Sequence, residues 1–422
     1  MLVALGALTS CGGGGGGNNA VEGPIVVERV SVDSAGAEAS DSSFDTAISA
    51  DGRYVAFKSQ ASNLVANDNN AINDIFVRDM QSGTTTRASV DSSGVEANNL
   101  NGAVAISADG RYVAFTSSAS NLVANDTTLG NNDVFVRDTQ SNTTTRVSVD
   151  SADVEQSGSS DFVAISGDGR FVAFNSGAAN LVVNDNNGSA DVFVRDTQLN
   201  TTTRVSVDSS GIEANGASAA VAISADGRYV AFASFASNLV ANDTNGSADV
   251  FVRDTQLNTT TRVSVDNSGA QITGASSAPA ISADGRYVAF LAANGFVQDV
   301  FVRDTQLNTT ARASVSSSGA AVSSNVPSVA ISGDGRYVAF ASDAANLVPN
   351  DNNGQQDIFV RDMQSSTTTR FSVDPSGNNA NGLSINPALS GDGRYVAFSS
   401  WAGNLVANDN NALSDIFRAH AR

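Results

Sequence analysis

A ten-residue string that recurs seven times predicts an all-β fold, a seven-bladed β-propeller of four-stranded antiparallel blades, with the last blade closed by the N-terminal strand. The string ISADGRYVAF begins at Ile48 and returns, slightly altered, at Ile106, Ile165, Ile223, Ile281, Ile331 and Leu389. Successive copies lie 58 or 59 residues apart, except for one step of 50 residues from Asp284 to Asp334. A repeat of this length that contains four strands is typical of one propeller blade.

The fourth copy shows why each repeat is read as four strands. Its segments are rich in Val, Phe and Thr and lack helical periodicity, and Asp226-Gly227 between the first two is typical of a tight hairpin. A polar loop then precedes the string DVFVRD, and a short turn precedes the last segment. The predicted strands of this unit are Val221–Ser224, Tyr229–Ser234, Asp249–Asp254 and Thr260–Val265.

The two ends of the chain predict how the ring closes. The last unit stops after its third predicted strand, Asp415–Arg418, and lacks a segment like TTTRVSVD. The missing segment lies at the other end of the chain, where residues 26–33 read VVERVSVD. Pairing these two edges would complete the seventh blade and leave no open sheet edge.

Composition excludes several classes of function. The 422 residues carry a formal charge of -20, so a generic binder of nucleic acid or anionic lipid is not expected. The chain has one histidine, His420, and one cysteine, Cys11, which leaves no Ser-His-Asp or Cys-His set and no His/Cys zinc site in its body. Lys58 is the only lysine.

The first residues have the pattern of a targeting segment. Leu2 to Leu8 is too short an apolar run to span a bilayer, and it precedes Leu-Thr-Ser-Cys11 and six glycines. This resembles the lipobox of bacterial lipoproteins, although no basic residue precedes the apolar run; an ordinary secretory signal is the alternative. The resemblance implies a signal peptide over residues 1–10, lipidation of Cys11, a linker to residue 24, and the propeller over residues 25–422. Because Gly12 and not Asp follows the cysteine, it also implies the outer membrane, with the propeller facing the periplasm or the surface.

The repeated strings also carry a resemblance. SADGRYVAF followed by DVFVRD is similar to the TolB-type, WD-like propeller repeat of bacterial periplasmic proteins, over all seven units. Arg-Asp stands where classical WD repeats have Trp-Asp, and the separate N-terminal domain of TolB has no counterpart. By analogy this implies partners in the cell envelope.

Most charged residues recur in every unit and are therefore interpreted as structural. We expect Asp226 to cap a turn, and Arg204 and Arg253 to pair with carboxylates between strands. His420 is expected in an exposed tail. Chain direction places the DGR hairpins and the QLNT-type turns on one rim, and the long loops and the crossovers between blades on the other.

Three of the long loops could bind calcium. They have Asp at both ends and Gly between, and resemble the later part of the calcium loops of integrin-type propellers, although Ala241 stands where the first ligand should be. Oxygen ligands at alternate loop positions suit Ca²⁺, but Asn and Asp also cap loop backbone without a metal. The candidate ligands are Asp185, Asn187, Asp191, Asp243, Asn245, Asp249, Asp351, Asn353 and Asp357.

One variable position predicts a ligand platform on the same rim. It lies three residues after each YVAF phenylalanine and holds a different residue in every blade, including Gln60, Phe235, Asp343 and Trp401. An exposed Trp beside a channel mouth suits a sugar ring or a peptide side chain. Loosely covered loop positions are the alternative interpretation.

These observations favour a non-catalytic outer-membrane lipoprotein that presents a rigid propeller to a protein or glycan of the envelope. We expect a monomer that needs no cofactor apart from the possible calcium, binds no nucleic acid, and meets the membrane only through its lipid. The alternative is a polysaccharide hydrolase or lyase that uses two carboxylates from Asp153, Glu155, Asp161 and Asp343. An uncoupled structural or decoy surface protein is a third possibility.

Overall fold

The computed structural model describes residues 24–128, 130–294, 297–322 and 326–421. Over these residues, twenty-eight strands form seven antiparallel four-stranded sheets, and no helix occurs. Each sheet is one blade, and its first strand lies beside the first strands of both neighbouring blades around the central channel. The chain is a seven-bladed β-propeller, as the sequence predicts.

The first six blades follow one another along the chain. The first three blades are β2 to β5 (Ser43–Ile48, Tyr54–Ser59, Asp74–Asp79, Thr84–Arg87), β6 to β9 (Asn101–Ile106, Tyr112–Ser117, Asp133–Asp138, Thr143–Arg146) and β10 to β13 (Val163–Ile165, Phe171–Ser176, Asp191–Asp196, Thr201–Arg204). The next three blades are β14 to β17 (Ser218–Ile223, Tyr229–Ser234, Asp249–Asp254, Thr259–Arg262), β18 to β21 (Ser276–Ile281, Tyr287–Asn294, Val297–Asp304, Thr309–Arg312) and β22 to β25 (Val329–Ile331, Tyr337–Ser342, Asp357–Asp362, Thr367–Arg370).

The seventh blade joins the two ends of the chain. It contains β26 (Ser384–Leu389), β27 (Tyr395–Ser400), β28 (Asp415–Ala421) and, as its outer strand, β1 (Ile25–Arg29). β1 pairs antiparallel with β28, from Ile25 opposite Ala421 to Arg29 opposite Phe417. Ser31, just beyond β1, donates a buried hydrogen bond of 2.5 Å to Asp415, the contact that Ser89 makes with Asp74 in the first blade. The predicted closure by the N-terminal strand is therefore confirmed.

The core consists of the apolar layers between neighbouring blades. In the fourth blade, Phe232 and Phe251 lie directly opposite each other on adjacent strands, are fully buried, and stack with ring centroids 5.9 Å apart. Equivalent phenylalanine pairs occur in all seven blades. Alternation along each strand sends successive side chains to the two faces of the sheet, so both faces contribute to the core.

A second repeated contact joins each blade to the next at the DGR hairpin. The glycine of this hairpin has a positive φ, as in Gly227 (φ 73°), and its α-carbon faces an aromatic ring of the preceding blade, here Phe171. The Arg170 guanidinium lies 4.7 Å from the centroid of that ring and forms a salt bridge of 2.6 Å with Asp196. The ring is thus held between an arginine and a glycine.

The crossovers between blades were expected on the rim of the long loops, but they extend from it along the outside of the ring toward the DGR face. Each leaves its blade, forms a short hairpin with an isolated bridge such as Val207 to Glu213, and leans against the outer strand of the next blade. Thr260 of that outer strand donates a hydrogen bond to the Val207 carbonyl, and its own amide donates to Ser209. The crossovers therefore cover outer strand edges that would otherwise be unpaired.

Three details differ from the sequence-based expectations. The first strand of the fourth blade begins at Ser218 because a bulge at Ala220 (φ 48°) extends the pairing, and the fourth strand ends at Arg262. Arg253 bonds the carbonyl oxygens of Asp208 and Asn258 and the Thr260 hydroxyl, so its predicted carboxylate partner is wrong. His420 lies within β28 against Tyr395, with ring centroids 5.2 Å apart, and is not an exposed tail.

Candidate functional site

The central channel is closed at the face that carries the DGR hairpins. Backbone amides and carbonyls of seven alanine and glycine residues form one circle of hydrogen bonds of 2.8 to 3.0 Å, through Ala50, Ala108, Gly167, Ala225, Ala283, Gly333 and Gly391. A β-carbon built on Gly167 would lie within 3.4 Å of those of both its neighbours in the circle. No large ligand can pass this constriction, so ligands reach the channel from the loop face, whose opening we call the mouth.

Side chains that break the repeat meet at the mouth, between the seventh and first blades. Lys58 forms a salt bridge of 2.5 Å with Asp45, which stands at a bulge in β2 with a φ of 46°. Asn386 of the seventh blade donates to Asp45 at 3.3 Å, and its carbonyl accepts a hydrogen bond of 3.1 Å from Thr46. These contacts join the inner strands of the two blades.

An aromatic pair covers this cluster on the loop face. Phe44 lies directly opposite Lys58 in the β2–β3 pairing, and its ring centroid is 6.1 Å from that of Trp401, tilted by 50°. Trp401 is 36% exposed, so one surface of the indole is supported by Phe44 while another part faces solvent. We call Phe44, Asp45, Lys58, Asn386 and Trp401 the seam cluster.

The remaining members of the predicted platform are placed around the mouth separately. Gln60 is exposed in the first blade, Phe235 is 69% exposed in the fourth, and Asp343 is exposed in the sixth. Each of these positions follows the second strand of its blade. Trp401 of the seventh blade has Gln60 and Asp343 in the two neighbouring blades, but Phe235 lies in the fourth blade, so the structure does not gather all four residues into one site.

Three features of the sequence point to the seam cluster when they are taken together. Lys58 is the only lysine, Trp401 the only tryptophan, and Asp45 one of five aspartates outside the repeat positions. The six positions equivalent to Lys58 hold Thr116, Asn175, Ala233, Leu291, Ala341 and Ser399. The predicted closure places the first blade beside the seventh, but the sequence does not show which side chains of these two blades meet.

Carboxylates at the loop face of several blades cluster around arginines. In the third blade, Asp185, Asp191 and Glu213 place oxygens within 4.8 Å of one another. Arg204 lies among them, with its Nη1 3.6, 3.4 and 2.5 Å from these three side chains. The prediction that Arg204 pairs with carboxylates is correct, and similar clusters surround Arg29, Arg87 and Arg146.

The predicted calcium ligands lie in these clusters or beside them. Asn187 turns its amide nitrogen toward Asp191 at 3.0 Å, and its oxygen accepts the Ser189 amide at 2.7 Å. Asn353 repeats both contacts with Asp357 and Gln355, and Asn245 likewise caps its loop at Ser247. These three asparagine oxygens already act as loop caps, while Arg204, Arg262 and Arg370 face the aspartates. The asparagine caps need no metal, and calcium binding stays a prediction.

Burial changes the acidity of these clusters in both directions. Desolvation, with repulsion from Asp191, raises the pKa of Asp185 to about 6, and desolvation raises that of Asp415 to about 6 as well. Burial also acts to raise the pKa of Glu155, but hydrogen bonds from Thr127 and Thr128 outweigh it and hold that pKa at about 2.

The four carboxylates considered for catalysis lie in different surroundings. Asp153 forms a salt bridge of 2.5 Å with Arg195 on the outside of the ring, and Glu155 pairs with Arg146 at 2.8 Å. Asp161 and Asp343 are exposed on the loop face of the third and sixth blades. Two of the four are therefore held by arginine, and the other two belong to blades that are not neighbours.

Comparisons with known proteins agree on the fold alone. No family model matches the chain, and no curated protein matches its sequence. Similar solved structures include an oligogalacturonate lyase in complex with manganese (11% identity, 94% of this chain and 91% of the other, TM-score 0.55). Another is the β-propeller domain of the Trilobed protease from Pyrococcus furiosus (10% identity, 90% and 94%, TM-score 0.54).

TolB proteins are also among the similar structures. TolB from Acinetobacter baumannii matches 69% of this chain at 16% identity with a TM-score of 0.40, and the chain covers 63% of the length of that protein. Since propellers of this kind include both enzymes and non-enzymes, the fold does not decide the activity. Over the described residues, nothing helical is long and apolar enough to cross a membrane.

Proposed function

We propose that this chain is a non-catalytic lipoprotein of the outer membrane whose propeller binds an uncharged glycan or an envelope protein at the seam cluster. The observation that carries the proposal is the meeting, at the mouth, of side chains that the repeat does not use. Repeat residues maintain the blades, so residues that depart from the repeat at one exposed place are the candidates for function.

The seam cluster has the composition of a recognition surface. The exposed part of Trp401 supplies an aromatic face, and the neighbouring Lys58, Asp45 and Gln60 supply donors and acceptors. Aromatic faces pack against the apolar faces of sugars and peptide side chains, while a few polar groups fix orientation. The support from Phe44 reduces the ordering that binding would require of the indole.

Charge narrows the class of ligand. A protein with a formal charge of -20, many of whose carboxylates lie on the loop face, repels polyanions at moderate ionic strength. An uncharged oligosaccharide or a neutral to basic protein surface therefore fits the mouth better than an acidic polysaccharide. The same argument weighs against a lyase acting on polygalacturonate, and no arrangement of the four candidate carboxylates favours the enzyme alternative.

The single tryptophan gives a direct test of ligand binding. A glycan array of uncharged oligosaccharides and an affinity capture from envelope extract supply candidates, which are then titrated while Trp401 fluorescence is recorded. We expect saturable changes in emission, and a roughly two- to tenfold weaker affinity for Phe44→Ala, because an aromatic pair contributes roughly 0.5 to 1.5 kcal/mol.

Phe235→Ala is the matched control, since Phe235 occupies the position of Trp401 in the fourth blade. This variant should leave the affinity unchanged. Equal weakening by Phe44→Ala and Phe235→Ala would contradict the assignment to the seam cluster. An affinity equal to that of the parent protein in both variants would contradict it as well.

The proposed anchor is tested separately because Cys11 lies outside the described residues. Mass spectrometry of the membrane fraction should show acyl groups on Cys11, and Cys11→Ser should release the protein into the soluble fraction. An unmodified Cys11, or retention of the Cys11→Ser variant in the membrane, would remove the lipid anchor from the account and leave the seam cluster in place.

A further inference from the structure

Three leucines protrude from one face of the propeller. Leu199, Leu257 and Leu307 occupy the same position of the turn between the third and fourth strands, in the third, fourth and fifth blades, and are 67%, 68% and 67% exposed. The equivalent residues of the first, second and sixth blades are Ser82, Ser141 and Ser365. The fold does not require leucine at this position, because three other blades have serine there.

These turns hold the leucines outward. The amide of Leu257 donates to Asp254 at 3.0 Å, and Asn258 next to it has a φ of 57°. Leu199 and Leu307 make the same contact with Asp196 and Asp304. Each tip is therefore a tight turn with its backbone held by these hydrogen bonds, and the leucine side chain is exposed on it.

The N-terminal segment leaves the propeller at this same face. β1 begins at Ile25, opposite Ala421 at the end of β28, and the third strand of every blade ends at the face of the DGR hairpins and the QLNT-type turns. Residues 12–24 connect this point to Cys11, and a glycine-rich random coil of that length has a reach of roughly 20 Å. The linker joins at the seventh blade, across the ring from the third and fourth.

We propose that the hairpin face lies on the bilayer that holds the lipid of Cys11, with Leu199, Leu257 and Leu307 inserted into its interface and the mouth turned away. This inference rests on the lipid anchor proposed above. A tether at one blade permits any tilt, whereas an apolar arc on the far side of the ring adds a second attachment and keeps the ring flat. The seam cluster then faces the space in which an envelope ligand would arrive.

A bilayer fits these leucines better than a second copy of the chain. They are three separate tips in three blades, flanked by uncharged Gln and Asn residues, and do not form the continuous apolar area that a stable dimer needs. Insertion of isolated apolar side chains beside a lipid anchor is additive and needs no complementary surface. Anionic headgroups repel the acidic protein, so salt, which screens this repulsion, should strengthen the contact and not weaken it.

The orientation can be measured by fluorescence quenching. The lipidated protein has no free thiol, so Gln256→Cys beside Leu257 and Asp343→Cys on the loop face each accept one fluorophore. The proteins are placed on phosphatidylethanolamine–phosphatidylglycerol vesicles that contain nitroxide lipids. We expect strong quenching at position 256 and none at position 343.

The triple variant Leu199→Ser, Leu257→Ser and Leu307→Ser copies the serines of the sibling blades, so it should keep its fold and its thermal stability. Quenching at position 256 should fall by about twofold or more in this variant. Equal quenching at positions 256 and 343, or no loss in the triple variant, would overturn the proposal. A dimer in sedimentation that disappears in the triple variant would also overturn it, in favour of a second copy.

A second arm separates this inference from the anchor itself. The chain with an N-terminal hexahistidine tag in place of the lipid, and with Cys11→Ser, is bound to vesicles through a nickel-chelating lipid, which preserves the point of attachment. Quenching confined to position 256 is expected here too. If Cys11 proves unmodified in cells but this arm gives the expected result, the lipid anchor is wrong and the membrane-facing surface is supported. If neither position is quenched in this arm, the membrane-facing surface is overturned.

Discussion

Gly227 offers the sharpest test of how the blades pack. A β-carbon at this position would lie 2.1 Å from Cδ2 and 2.5 Å from Cγ of Phe171 in the neighbouring blade. Ordinary carbon contacts are about 3.5 to 4.0 Å, and the ring cannot retreat because Arg170 lies on it. Gly227→Ala therefore combines a positive φ, which costs an alanine roughly 1 to 2 kcal/mol, with overpacking of roughly 1 to 3 kcal/mol. We expect a loss of about 2 to 5 kcal/mol in the free energy of unfolding.

Gly211→Ala in the preceding crossover is the matched control. Gly211 also has a positive φ, 83°, but no atom lies within 4 Å of a β-carbon built there. It should lose only the backbone part, about 1 to 2 kcal/mol. Urea denaturation followed by circular dichroism measures both variants. If the two lose equal stability, the contact between Phe171 and Gly227 does not contribute to blade packing as described.

Three further predictions concern acidity, calcium and the crossovers. Because burial raises the pKa of Asp185 and Asp415 to about 6 in the folded protein, the folded state binds more protons than the unfolded state between about pH 4 and 6. The melting temperature should thus rise as the pH falls from 7 to 5. At lower pH it should fall, because ion-paired carboxylates such as Asp362, whose pKa is about 2, are then protonated. A melting temperature that rises steadily with pH above 5 would refute this. If the loops bind calcium, Ca²⁺ should raise the melting temperature more than Mg²⁺ at fixed ionic strength, and Asp185→Asn should reduce the difference; equal responses to both ions would remove the metal. Thr260→Val should cost about 1 kcal/mol or more, because it leaves the Val207 carbonyl without its buried partner, whereas Thr259→Val at the exposed neighbour should cost little.

The architecture could be predicted because the same pattern of strands and turns recurs in seven units of the sequence. The Asp-Gly hairpin at Asp226, the phenylalanine positions and the unmatched segment over residues 26–33 are local patterns, and each corresponds to one feature of the fold. Local patterns do not reveal partners that come from another blade. Arg253 was assigned a carboxylate because of its charge, but its position places it among backbone carbonyl oxygens.

The candidate site was less predictable for a related reason. Asp45 and Asn386 are separated by 341 residues and meet only because the ring closes. Both also have a positive φ, which the repeat pattern does not indicate. The platform residues were chosen by their variability, which found Trp401 but not Phe44, its supporting ring. His420 was expected in a tail because it is close to the end, yet β28 continues to Ala421.

Closure of the ring by β1 is the central claim, since the seam cluster and the face from which the linker leaves both depend on it. The most direct measurement is disulfide formation across β1 and β28, in a chain with Cys11→Ser. Val26 faces His420 and Val27 faces Ala419, and the β-carbons of directly opposite residues lie roughly 4.5 to 5.5 Å apart. Val26→Cys with His420→Cys, and Val27→Cys with Ala419→Cys, should each be oxidised within the monomer, more readily at whichever pair is not hydrogen-bonded. Val26→Cys with Ala419→Cys should stay reduced because these side chains point to opposite faces. Cross-linking of this last pair, or of none, as read by mass spectrometry, would contradict the register and the closure.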